Sequence, residues 1–363
     1  MTDRFGASQK IRVVAWSTGN VGRHAIAGID ARPDLELVGV WVSSEAKAGK
    51  DAGELAGLGR SLGVAATNSV EEILALKPDV IVNTAMADNR LFEAIADLER
   101  LLRAGINVVA SGPVFLQYPT GVAVDMAKGV TQAALDGGVS LFVNGVDPGF
   151  ANDALPLALT GISERIEEVR CVEVLNYNTY DQWMILHDVM GFGMPEGEKG
   201  FLLNPGVLTM AWGSVIAQLA AGLGVELDGI EEWYEQELAH ETFDVDSGTI
   251  EKGTVAALHF EVRGMANGVA RIVLEHVTRL HDDLGASWPK PAGAGCYRVV
   301  VTGEPNYTLD LQLLGTDGDH NTAGLKATAM RLVNAIPAVV DAKPGLVTAL
   351  DLPLVTGKGL VTR

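Results

Sequence analysis

Apolar and polar positions follow two different rhythms along this chain, and the change between them divides it. In the first part, short β-branched runs alternate with segments of helical spacing. Residues 10–16 read as a strand, a turn of small residues follows, and residues 24–31 read as a helix. The same rhythm gives strands at 35–43, 79–83, 107–110 and 140–144, and helices at 70–76, 91–104 and 122–136. Ser69 is placed to cap the helix at 70–76, and Glu71 and Glu72 suit its amino end. Strands separated by helices of this length imply right-handed crossovers, hence an α/β, doubly wound parallel sheet with helices on both faces.

The second rhythm begins after Asp147-Pro148-Gly149. Residues 166–177 and 253–280 alternate with period two, as in Val255-Ala256-Ala257-Leu258-His259-Phe260-Glu261-Val262. Such stretches predict a mostly antiparallel sheet with one open face, and residues 207–223 predict a helix beside it. A second, α+β domain is therefore expected. Residues 322–336 have helical periodicity, with Pro337 and the loop Lys343-Pro344-Gly345 after them. The divisions fall at 1–148, 149–319 and 320–363.

Composition narrows the partners. The 363 residues are 48% hydrophobic and 20% charged, with a formal charge of −19 and a pI near 4.7. A field of that sign repels nucleic acid and anionic membranes, so neither is expected as a partner. A phosphate-bearing cofactor would need a local basic pocket. The two cysteines, Cys171 and Cys296, form no C-x-x-C and no metal-ligand cluster, which fits a reduced cytoplasm without disulfides. The opening Met-Thr-Asp-Arg-Phe-Gly lacks a leader pattern. No apolar run reaches the roughly 18 residues of a membrane span. The richest, from Val215 to Val225, is broken by Gln218, Gly222 and Gly224. A cytoplasmic protein is expected.

The turn after the first strand carries the first chemistry. Ser17, Thr18, Gly19, Asn20, Val21, Gly22 and Arg23 have the spacing of a dinucleotide turn, except that Ser17 stands where the first glycine of G-x-G-x-x-G would be. Gly19 lets the backbone approach a pyrophosphate, and Gly22 lets the helix pack on its strand. Alone, the turn reads equally as structural. The second strand ends in Ser43 and Ser44, then Glu45, Lys47 and Lys50, a set compatible with a ribose 2′-phosphate or with a solvated polar loop. NADPH is preferred, with NADH open. Thr84, Ala85, Ser111 and Gly112 follow later strands, where the sheet's carboxyl edge lines a crevice.

Candidates for acid–base work are Tyr118, after the Ser-Gly turn, and Tyr177, Tyr180 and Asp181 in the polar-aromatic segment Asn176-Tyr177-Asn178-Thr179-Tyr180-Asp181-Gln182-Trp183. A rim aromatic and a wet loop are the alternative readings. His187 reads as a surface histidine, and His259 and His276 as structural residues on sheet strands. Asp147-Pro148-Gly149-Phe150 reads as a sharp turn, with Asn152 capping the next helix. Trp183, Met184, Met190, Phe192 and Met194 suggest a small, fairly apolar substrate. No H-E-x-x-H, G-x-S-x-G or Walker lysine motif occurs.

These pieces in this order resemble the dihydrodipicolinate reductase-like superfamily, most closely its branch of 2,4-diaminopentanoate dehydrogenase and native amine dehydrogenases. The resemblance rests on residues 16–23, on 40–53 with Lys47-Ala48-Gly49-Lys50-Asp51-Ala52-Gly53, on Gly145-Val146-Asp147-Pro148-Gly149-Phe150-Ala151-Asn152-Asp153, and on Val333-Asn334-Ala335-Ile336-Pro337 with Pro344-Gly345-Leu346. It implies an N-terminal Rossmann domain to which the C-terminal segment returns, with Asn334 counted among the cofactor residues. It also implies an α+β substrate and dimerisation domain, a homodimer, and NAD(P)H-dependent reduction of a C=N or C=O carbon.

Two departures stand out. Dihydrodipicolinate reductases carry a His-His pair followed by Lys, whereas residues 174–193 hold only His187 and no Lys. The amine dehydrogenases resemble this chain at Asn107-Val108-Val109-Ala110-Ser111-Gly112, but there a Glu follows and handles the ammonia and imine protons. Here the next residues are Pro113-Val114-Phe115-Leu116-Gln117-Tyr118-Pro119, without a carboxylate. An imine or carbonyl reductase is the leading expectation. An amine dehydrogenase with its base moved to Asp181 or Glu173, and a dinucleotide sensor without chemistry, are the alternatives.

Overall fold

The computed structural model describes residues 10–87 and 89–361, so the segment read for a leader lies outside the described residues. The chain forms two compact units, one from residues up to Val146 together with those from Leu325 onward, the other from Asp147 to Gly324.

The first unit opens with β1 (Ile11–Trp16), α1 (Asn20–Ala31), β2 (Leu35–Trp41), α2 (Ala52–Leu55) and β3 (Ala66–Thr67). It continues with α3 (Val70–Ala75), β4 (Val80–Asn83), α4 (Leu91–Arg103), β5 (Asn107–Ala110), α5 (Val122–Gly137) and β6 (Ser140–Val143). Ser69 caps α3 as expected, its Oγ accepting from the amide of Glu72 at 3.2 Å. Alternate strand residues pack on opposite sides, as a two-sided sheet requires. Val13, Ala15, Val80 and Val82 join α1 through Ile26 and Ile29. Val14, Trp16 and Ile81 meet Leu98, Leu101 and Leu102 of α4.

The second unit holds α6 (Ala154–Thr160), β7 (Arg165–Asn176), α7 (Val207–Leu223), β8 (Gly229–Leu238), β9 (Phe243–Val245) and β10 (Gly248–Ile250). Then come β11 (Val255–Ala266), β12 (Val269–Arg279), β13 (Cys296–Glu304) and β14 (Tyr307–Leu311). The alternating run 253–280 is thus two strands. Asn267 and Gly268, with φ of 53° and 72°, turn the chain in the way a tight hairpin needs. Six strands form one sheet in the order β14-β13-β7-β12-β11-β8, antiparallel except for the β7–β12 pair. Register places Tyr297, Glu173, His276 and Phe260 in one row across four strands. Trp212 of α7 packs on that row, its ring 5.0 Å from Phe260 and 4.6 Å from His276. The opposite face is charged. There Arg170 bridges Glu261 and Glu275, each at 2.5 Å.

The helix α8 (His320–Val340) and the strand β15 (Gly345–Val347) are the last elements among the described residues. Against expectation, α8 does not stop at Ile336 but runs through Pro337. An interior proline costs about 3 kcal/mol. Here Val333, Ile336 and Val339 are fully buried around it, and their packing holds the helix together. β15 pairs with β6 and completes a seven-stranded parallel sheet, β15-β6-β5-β4-β1-β2-β3. Strand order reverses between β1 and β4, and ligands of open α/β sheets bind beyond the carboxyl ends of strands at such a point.

Candidate cofactor turn and acid–base cluster

In the first unit, the chain leaves β1 through Ser17, whose φ is +91°, a left-handed conformation that glycine would adopt freely. Gly22 is sterically required: a Cβ there would stand 2.3 Å from the Ser17 carbonyl oxygen and 2.9 Å from Thr84 Oγ1. Gly19 is open, with nothing nearer than Ser17 Oγ at 3.8 Å from a notional Cβ. The first turn of α1 carries no carboxylate and no side-chain cap. A close-packed turn, an open glycine and an uncapped helix start together suit a pyrophosphate.

Neighbouring strands bring more of the expected residues to this edge. The amide of Thr84 donates to the Trp16 carbonyl at 3.0 Å, and Ala85 follows with its amide on Asn83 Oδ1. Ser111 and Gly112 leave β5 beside them, the Ser111 amide on the Asn83 carbonyl. Lys47 reaches the glycine turn, its Nζ donating to Thr18 Oγ1 at 3.2 Å. Ser43, Ser44 and Arg23 are exposed nearby in sequence. Asn334 is elsewhere. Its Oδ1 accepts from Arg32, which also pairs with Asp34 at the amino end of β2, opposite the glycine turn. It acts as a structural tie rather than as a residue of the cofactor edge.

The second unit holds a buried cluster of titratable groups. His276 stands between two carboxylates, Nε2 3.6 Å from Asp147 Oδ2 and Nδ1 3.4 Å from Glu173 Oε1. All three side chains are 5–6% exposed. Trp212 Nε1 donates to Asp147 Oδ1 at 2.9 Å, and Tyr177 donates its hydroxyl to Glu173 Oε1 at 2.9 Å. Burial pushes the Asp147 carboxyl up to about 6, while the His276 charge pulls it down and Glu173 pushes it further up. Burial works against the ionised Glu173 as well, but hydrogen bonding and charge from His276 and the Tyr177 hydroxyl hold it below its ordinary value. His276 is raised: its desolvation is outweighed by Asp147 and Glu173. Tyr177 and Tyr297 lie well above a free phenol, through burial and the Glu173 charge.

Of the catalytic candidates, Tyr177 joins this cluster, and Tyr180 stacks on it at 5.0 Å while its hydroxyl receives Gln182 Nε2. Asp181 is exposed on the following loop. Tyr118 is half-buried in the first unit, after the short 3-10 helix Val114–Gln117. Four sequence readings change. His276 is a member of a charged cluster, not a plain structural histidine, and Asp147 belongs to the same cluster in addition to forming a turn. The cap of α6 is Asp153 rather than Asn152, whose Oδ1 instead accepts from the amide of Gly149 at 2.8 Å. Met190 and Phe192 are core residues, 7% and 0% exposed, and so are spent on packing.

Comparison with known proteins agrees with this fold. Residues 150–359 match the family model of the 2,4-diaminopentanoate dehydrogenase C-terminal domain, and residues 11–109 match that of the dihydrodipicolinate reductase N-terminus. An amine dehydrogenase of Streptomyces virginiae is 43% identical over 95% of this chain and 96% of its own length. A 2,4-diaminopentanoate dehydrogenase of Acetoanaerobium sticklandii is 23% identical over 95% and 94%. Among solved structures, an amine dehydrogenase from Mycobacterium smegmatis superposes with a TM-score of 0.77 at 22% identity, covering 96% of this chain and 98% of that one.

Proposed function

We propose, from the premise that the chain belongs to the 2,4-diaminopentanoate dehydrogenase family and is an NAD(P)-dependent oxidoreductase, that it interconverts a small carbonyl compound and its primary amine, with ammonia as nitrogen donor. The observation that carries this reading is the 43% identity with an amine dehydrogenase along nearly the whole of both chains. Family membership favours an enzyme over the sensor alternative. Of the other two readings, it moves weight from plain reduction of a C=O group towards reductive amination.

The nicotinamide, when bound, supplies the hydride taken up by the iminium carbon. The chain's own residues bind and orient. The backbone from Ser17 to Gly22 receives the pyrophosphate at the start of α1, with Thr84, Ala85, Ser111 and Gly112 along the same carboxyl edge. Lys47, Ser43, Ser44 and Arg23 favour a 2′-phosphate, and on that basis NADPH is preferred to NADH. Tyr118, Tyr177 and Tyr180 remain substrate-contact candidates. No helix among the described residues is long and apolar enough to cross a membrane. Cys171 and Cys296 are buried and unbridged; a cytoplasmic location and a homodimer belong to the same proposal.

The test is NADPH and NADH oxidation with a panel of ketones and aldehydes, with and without ¹⁵N-ammonium. Ammonium-dependent turnover that yields labelled amine is expected. Conversion to the alcohol at the same rate without ammonium would replace this reading with carbonyl reduction. Size-exclusion with light scattering tests the dimer.

A further inference from the structure

Reductive amination moves two protons that hydride transfer does not. Ammonium must lose one to become a nucleophile, and the carbinolamine must gain one to expel water. The segment after β5, Pro113 to Pro119, offers no carboxylate for this work. We propose that Asp147 performs both transfers and that His276 and Glu173 are its positioning residues, an assignment that rests on the amine dehydrogenase reading.

The other buried acids of the second unit are already engaged. Glu275 and Glu261 are bridged by Arg170, and Glu275 also meets His259 Nε2 at 2.9 Å. Asp153 caps α6, and Gln218 Nε2 lies 3.5 Å from its Oδ2. Glu173 accepts from Tyr177 and faces His276, which keep it ionised. Asp147 differs in its surroundings. One oxygen accepts from Trp212, the other faces His276 at 3.6 Å, and Asn152 also hydrogen-bonds the carboxyl. The groups acting on it are His276 from β12, Glu173 from β7, Trp212 from α7 and Asn152 from the following loop. Cys171 and Tyr297 feel its charge in turn.

The balance is complete. Ionised Asp147 takes a proton from ammonium, breaking one N–H bond and forming Asp147–OH. The ammonia lone pair forms the C–N bond while the carbonyl π pair moves to oxygen, and proton redistribution gives the neutral carbinolamine. Asp147–OH returns its proton to the hydroxyl, the C–O bond breaks, and water leaves an iminium ion. Asp147 is ionised again, and the amine formed after hydride uptake takes its last proton from solvent. A carboxyl poised near 6 can exchange protons in both directions at neutral pH. His276, held charged by Glu173, stops it from rising further.

The experiment compares two reactions in wild type and in Asp147→Asn: amination of a ketone with ammonium, and reduction of a preformed cyclic imine, which needs neither proton step. The expected result is a loss of about a hundredfold or more in amination with imine reduction kept within a few-fold. In His276→Gln the acid limb of the amination pH profile should move up, because the cation that lowers Asp147 is gone. Trp212→Phe retains the carboxylate and should move the limb the same way through loss of the donated hydrogen bond. Infrared difference spectra of wild type minus Asp147→Asn, taken across the limb, should show a carboxyl band titrating with it. Unchanged amination in Asp147→Asn overturns the proposal, as does an equal fall in both reactions. Should Asp147→Asn not fold, an unmoved limb in Trp212→Phe overturns it. Wild type that binds the dinucleotide and reduces imines but never uses ammonium refutes the amine dehydrogenase reading instead.

Discussion

Gly22 and Ser17 are packed backbone against backbone, with the Ser17 carbonyl oxygen 2.3 Å from where a Cβ of residue 22 would lie. Gly22→Ala therefore forces the start of α1 off β1. Unfolding by urea should show a loss of about 1–3 kcal/mol, the usual cost of overpacking, together with weaker dinucleotide binding by nicotinamide fluorescence. Ser17→Gly is expected to behave oppositely, since a non-glycine residue at φ +91° costs about 1 kcal/mol. A Gly22→Ala protein as stable as wild type would contradict this packing.

Lys47 bears on the choice of dinucleotide. Its Nζ sits 3.2 Å from Thr18 Oγ1 and is the cation the turn residues meet. Lys47→Ala should raise the Kd for NADPH about tenfold, as expected for one charged hydrogen bond, and leave NADH nearly unaffected. Equal weakening of both would detach Lys47 from the 2′-phosphate.

The buried trio makes stability depend on pH with a definite sign. Asp147 is raised from 3.8 to about 6, so the stability it lends is full below 3.8 and is lost as pH rises through about 6. His276 is raised from 6.5 and acts in the same sense: its contribution is full below 6.5 and lost at higher pH. Glu173, lowered from 4.5, contributes above 4.5 and loses that contribution as acid protonates it. Unfolding free energies from urea titration should fall between pH 4 and 6 in wild type by at most about 3 kcal/mol from Asp147, and that component should be missing in Asp147→Asn.

Arg170 neutralises Glu261 and Glu275, whose side chains are 10% and 7% exposed. Arg170→Met removes the cation the two carboxylates share and leaves Glu261 with Arg263 and Glu275 with His259, and a loss of about 3 kcal/mol is expected in denaturant titration. A loss below about 1 kcal/mol would mean that solvent reaches both.

The doubly wound sheet was legible because its signals are local. Val13 to Ile26 announces strand, turn and helix within one short window, and Ser69 marks a helix start by itself. The acid–base cluster has no such signal. His276 meets Glu173 only because β12 lies parallel to β7, a pairing across a hundred residues that periodicity does not specify. Asp147 looked like a turn residue because Pro148 and Gly149 dominate its neighbourhood. Asn334 was misplaced because family order says that a helix returns, not which of its residues Arg32 claims. Pro337 shows the reverse failure. A strong local stop signal was overruled by the burial of Val333, Ile336 and Val339 around it.

The seventh strand of the parallel sheet is also the last element among the described residues. β15 lies against β6, and Ser140 Oγ donates to the Lys343 carbonyl across 203 residues. A ribosome releases this chain from its amino end, so β6 emerges long before its neighbour exists. Through the whole synthesis of residues 147–324 its outer edge has no strand to pair with, which is the kind of exposure that invites association with other nascent chains. Closure of the sheet therefore waits until β15 has been made. A nonsense mutation between Val143 and Gly345 would leave that edge open for the life of the molecule.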